Sequence, residues 1–189
     1  MMTVAGIILV AIIIFILAFV PTCSHEENDP SEGATHTVST EFMVKLDEIL
    51  FIAGTGDARL DEDQAVKQIE SWGGFDVSAQ SDGSYTATFS TKAYNELKQS
   101  LKDDLDKCIE GASKGDYPDV VGASFEKSYE HIEVVAKGNV DLKSLTAPRE
   151  LGMKACMYRA VAGEQVTCTV DVVDESGKKL GTLSYPEQG

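Results

Sequence analysis

The sequence predicts an α+β domain, with helices packed on one face of a mostly antiparallel sheet of about five strands, behind one N-terminal apolar helix. Three observations carry this. Apolar residues switch between helical and alternating spacing along residues 39–189. Helices and strands interleave without the strict βα alternation of a parallel sheet. An oily run at the start is set off from that body by a polar, acidic stretch.

The run comes first. From Val4 to Val20 every residue is apolar or Gly, about 17 in a row. As a helix it spans roughly 26 Å, close to the ~30 Å of a bilayer core. Met1, Met2 and Thr3 supply no basic n-region, and Pro21 disfavours cleavage after Val20, so residues 1–23 are expected to be an uncleaved membrane anchor. The competing readings are a cleaved signal peptide and a lipoprotein attached through Cys23. Cys-Ser at a polar boundary suits the lipoprotein, although Val20-Pro21-Thr22 is a poor lipobox. No Lys or Arg follows the run until Lys45, while Glu26, Glu27, Asp29 and Glu32 crowd its far side. That charge pattern places the body outside the cytoplasm, at the cell membrane.

Residues 24–38 have no hydrophobic period and read as an acidic flexible tether. The remaining 39–189 suffice for one domain with its own core. Sixteen Lys and Arg against 31 Asp and Glu give a net charge of −15. This balance argues against nucleic acid or an anionic lipid surface as partner.

Within the domain, Phe42, Met43, Leu46, Ile49, Leu50 and Ala53 predict a first helix near 39–53. "LDEDQAVKQIESWGG" predicts a second, with Asp61 and Gln64 forming a capping box and Gly73-Gly74 ending it. Phe75, Val77 and Ala79, then Tyr85, Ala87 and Phe89, flank Ser81-Asp82-Gly83-Ser84, a hairpin signal. Tyr94, Leu97, Leu101, Leu105, Cys108, Ile109 and Ala112 mark a long helix over 92–112. "SFEKSYEHIEVVAKG" reads as one strand bent near Ser128. Pro148 opens a last helix that runs to Ala162 and closes at Gly163. "VTCTVDVVDESGKKLGTLSY" is a second hairpin turning at Glu175-Ser176-Gly177.

The "MYRAVAGEQ" helix end and this hairpin carry a likeness, through Tyr158, Gly163, the Asp174–Gly177 turn and Tyr185-Pro186. Together with "LDEDQAVKQIESWGGFDVSAQSDGSYTATFS", the stretch from Leu60 to Pro186 resembles uncharacterised secreted or lipid-anchored envelope proteins of Gram-positive bacteria. The resemblance implies fold and location, strengthens the lipoprotein reading, and carries no activity.

The chemical candidates are few. "AGTGDARLDEDQ" has the outline of an EF-hand, but Ala53 stands at its first position and Gln64 at its twelfth, where calcium needs carboxylates. His25 and His36 lie in the tether, which leaves His131 beside Glu130 and Glu133 as the domain's one histidine. A half-exposed strand histidine is the plain account of it, and an acid/base residue of an envelope hydrolase is the sharp one. Cys108, Cys156 and Cys168 are an odd set for an oxidising compartment. They are expected to be packed hydrophobes first, a disulfide between two of them second, and a nucleophile last. No cofactor or metal signature appears. The expected function is non-catalytic binding of an envelope protein or small ligand. The alternatives are an envelope hydrolase or a structural subunit of an envelope complex.

Overall fold

The computed structural model describes residues 40–52, 59–126, 128–138 and 140–186. The expected anchor, the tether and Cys23 lie outside these residues. Among the described residues no helix is long and apolar enough to cross a membrane. The body is α+β, as its spacing predicts, but the described residues form three helices and seven strands in two sheets, where one sheet of about five strands is expected.

The first correction lies in residues 39–53. Strand β1 (Glu41–Leu46) and a 3-10 turn (Glu48–Phe51) stand where the apolar spacing predicts a helix. Phe42 and Leu46 fit a helical period, but with Val44 they also fit a period of two, and pairing decides between them. They lie opposite Phe89, Ala87 and Tyr85 of a neighbouring strand. Asp47 then accepts a hydrogen bond from the Ile49 amide at 3.0 Å, which starts the 3-10 turn and buries Ile49, Leu50 and Phe51.

Helix α1 (Glu62–Ser71) carries the expected capping box. The Gln64 amide donates to Asp61 Oδ1 at 2.8 Å, and the Asp61 amide donates to Gln64 Oε1 at 3.2 Å. Ala65 and Ile69 are its buried face. The hairpin follows as β2 (Gly74–Ala79) and β3 (Tyr85–Ser90), and β3 pairs antiparallel with both β1 and β2. Gly83 sits in its turn at φ +81°. Helix α2 (Thr91–Lys114) starts where Ser90 Oγ accepts from the Ala93 amide, and it ends on the left-handed Gly115.

The second sheet has the order β4-β5-β6-β7. Strands β4 (Val120–Phe125) and β5 (His131–Ala136) form a hairpin, where the sequence suggests a single bent strand. The reversal between them is held from below. Arg159 is buried and donates to the Ser128 carbonyl at 2.8 Å, and the Tyr129 ring is buried in the core. Strands β6 (Cys168–Asp174) and β7 (Lys179–Tyr185) are the second hairpin. Strand β6 runs parallel to β5, and such a pair needs a long crossover. Helix α3 (Thr146–Ala162) lies in it and packs on β5, β6 and β7.

Leu151, Ala155 and Cys156 of α3, Ile132 and Val134 of β5, and Cys168 and Val170 of β6 join one core with Leu105 and Ile109 of α2. Phe89, Ala87, Ile69 and Leu46 belong to the same core, so both sheets are covered on one face. Their opposite faces carry the polar phase of each strand, and these faces hold the candidates for function.

Candidate functional site

Strand alternation sends Glu41, Met43 and Lys45 of β1 to the outer face of the three-stranded sheet. In register they lie beside Ser90, Thr88 and Thr86 of β3, and Phe75 and Ser78 of β2 stand beyond Thr88 and Thr86. One cross-strand row therefore reads Met43, Thr88, Phe75. Met43 is 74% exposed and Phe75 40% exposed. Two large apolar side chains in one row, both partly exposed among the described residues, give this face an apolar strip. Lys45 is tied to Asp82 of the β2–β3 turn at 2.7 Å, which marks one rim of the face.

The outer face of the four-stranded sheet is polar around His131 and Asp171, with Val135 paired to Val173 at one end of it. Register places His131 beside Thr169 and Glu133 beside Asp171. Asp171 is the hub, accepting from Lys179 Nζ at 2.7 Å and from Thr182 Oγ1 at 2.6 Å, with His131 Nε2 at 3.5 Å. The Lys179 ammonium and the Thr182 hydroxyl hold the Asp171 carboxyl below its usual range. His131 is therefore half-exposed on a strand, and its carboxylate neighbour is Asp171 rather than Glu130 or Glu133. Asp171 is visible in sequence as the polar phase between Val170 and Val172, but its meeting with His131 depends on a parallel pairing that no local pattern announces.

The cysteines divide. Cys156 and Cys168 are buried, and loss of water around them pushes each thiol up to about 12. Cys108 is half-buried on α2, 3.5 Å from Glu150 Oε1 of α3. The same carboxylate accepts from the Tyr117 hydroxyl at 2.9 Å and lies 3.5 Å from the Lys154 ammonium. Lys154 in turn bridges to Asp104 at 2.5 Å. Burial also pushes the Cys108 thiol up, so the group stays protonated. All three residues are free thiols in this structure. Their surroundings suit packing between helices and strands, whereas a nucleophile needs an accessible thiolate.

The EF-hand outline fails on its entering helix, because a strand and a 3-10 turn stand there, and residues 53–58 lie outside the described residues. Among the described residues no group of three or more His, Cys, Asp or Glu is placed to hold a metal ion. No family model, curated protein or solved structure matches this chain.

Proposed function

We propose that the chain is a membrane-anchored, extracytoplasmic binding module that docks a polypeptide partner of the cell envelope on the open face of its three-stranded sheet. The reading rests on one observation, the exposed row of Met43 and Phe75 across that face. Covering the part of each side chain that is still exposed is worth about 1 kcal/mol or more, enough to matter in a partner interface. A polypeptide suits the face better than a lipid surface does. The protein's net charge of −15 repels anionic headgroups. Residues 4–20 supply the anchor, and the acidic tether gives the body reach from the membrane.

The test is affinity capture from detergent-solubilised envelopes, using the full chain and a Met43→Glu, Phe75→Glu double variant. Phe75 is more than half buried, so the variant is first shown by its melting curve to remain folded. A partner held by the parent and lost by the variant supports the docking face. Equal recovery with both chains overturns it.

A further inference from the structure

Edge strands invite pairing, and folded proteins blunt them with bulges, Pro or charge. Among the described residues there are four edges, β1 and β2 on one sheet and β4 and β7 on the other. Three of them are bulged. Register shifts between Phe75 and Ser78 in β2, between Val120 and Gly122 in β4, and across Val172 and Val173 in the pairing with β7. Strand β1 alone keeps an unbroken ladder, from Glu41 to Leu46.

Its backbone direction follows from one bond. The Thr91 amide donates to the Thr40 carbonyl at 3.0 Å, so residue 40 points its polar groups toward β3. The antiparallel ladder alternates, so Phe42, Val44 and Leu46 do the same. The amides and carbonyls of Glu41, Met43 and Lys45 then face the open edge. These residues also form the outer row, with Met43 its most exposed large apolar member.

We infer that this edge pairs with the β1 edge of a second copy of the chain, antiparallel about a two-fold axis at Met43. That register sets Met43 against Met43 of the second copy, and it sets each Glu41 against the other copy's Lys45. Phe42 and Val44 face each other on the opposite side of the ribbon. The residues with outward backbone groups are then the hydrogen-bonded pairs, which gives about six new ladder bonds. "EFMVK" is self-complementary in charge and size, as an isologous interface requires. A shift by two residues sets Glu41 against Met43 and breaks both ion pairs. The exposed Lys45–Asp82 pair is a weak competitor for the Lys45 ammonium. The result is a six-stranded sheet in which the Phe75, Thr88, Met43 row runs on into its symmetry mate.

Five paired residues bury little area, so the association is weak in solution and relies on confinement of both copies to one surface. The pairing involves only the edge of the sheet, and its test uses no other partner. Met43→Cys is introduced into the full chain, and envelopes are treated with copper phenanthroline. Opposed hydrogen-bonded positions have Cα atoms about 5.5 Å apart, within disulfide range. A cross-linked dimer above the background of the parent chain is expected from Met43→Cys and not from Phe75→Cys, which lies at the far sides of the joined sheet. Added Glu41→Lys is expected to lower the yield about five-fold, through two like-charge contacts. Added Lys45→Glu does the same. Co-expressing the two variants, each with Met43→Cys, is expected to restore it, because every contact across the axis then joins a lysine of one copy to a glutamate of the other. Yield at background, or yield indifferent to both charge changes, overturns the pairing.

Discussion

Gly83 holds the β2–β3 turn at φ +81°, a conformation that a β-branched residue adopts only with strain. An added Cβ would also lie 2.9 Å from Glu48 Oε2 and 3.0 Å from Arg59 Nη1. That ion pair is exposed and can swing aside, so the backbone term dominates. Gly83→Val is expected to lose at least about 1 kcal/mol, read as a lower urea midpoint at unchanged m-value. The buried thiols give a second test. Cys156 and Cys168 move from an ordinary value of 9.0 up to about 12 on folding, because burial penalises the thiolate. Between those values the unfolded chain has lost protons that the folded chain keeps, so stability must fall as pH rises through this window. Each thiol contributes up to about 1.4 kcal/mol per pH unit there. Below pH 9 this contribution is complete and flat. Urea midpoints of the parent chain are therefore expected to drop more steeply between pH 9 and 11 than those of Cys156→Ala, Cys168→Ala. A parallel fall in both proteins would show that the thiolates are not the cause.

At the level of elements, α3 meets the second sheet at a glycine. A Cβ on Gly152 would stand 2.1 Å from Tyr185 Cδ2 and 2.6 Å from two more ring carbons. The Tyr185 ring is buried and cannot simply swing away. Gly152→Ala gains about 1 kcal/mol of helix propensity but overpacks a filled contact at about 1–3 kcal/mol. A net loss of up to about 2 kcal/mol is expected, and a raised melting temperature would mean that helix and sheet separate freely. Neither Gly152 nor Tyr185 announces this contact in sequence, since it joins residues that are far apart along the chain. What sequence announces is local. Asp61 with Gln64, Ser81 to Ser84, and Asp174 to Gly177 specify a cap and two turns within a few residues each, and all three are present. Residues 39–53 mislead because "EFMVKLDEILF" fits both periods, and the strand wins only through Phe89, Ala87 and Tyr85, some forty residues away. The division into two sheets is hidden for the same reason, since strand partners are a property of the whole chain.

At the scale of the molecule, function is less legible than fold. Met43 reads as a helix-core residue in sequence and is the most exposed large apolar side chain among the described residues. His131 is visible as the domain's one histidine, but Asp171 beside it is not. That pair frames the choice between a binding module and an enzyme. In a hydrolase, a carboxylate beside His131 would orient the ring, and the histidine would move a proton in the rate-determining step. Losing such a group lowers turnover by about 10²–10⁴-fold. In a binding module the pair is a solvated cross-strand contact with little energetic weight. His131→Ala is therefore expected to leave both the melting curve and the cellular role intact. Deleting residues 1–23 is expected to abolish that role while residues 38–189, which form one unit with their own core, still melt cooperatively. On the proposed reading the deletion removes the protein from the membrane without touching the proposed docking face, so a role that survives would separate function from location. Screening residues 38–189 against ester, phosphate, glycoside and peptide substrates completes the comparison. A turnover present in the parent, lost in His131→Ala and weakened in Asp171→Asn at unchanged stability, would replace the binding module with an enzyme.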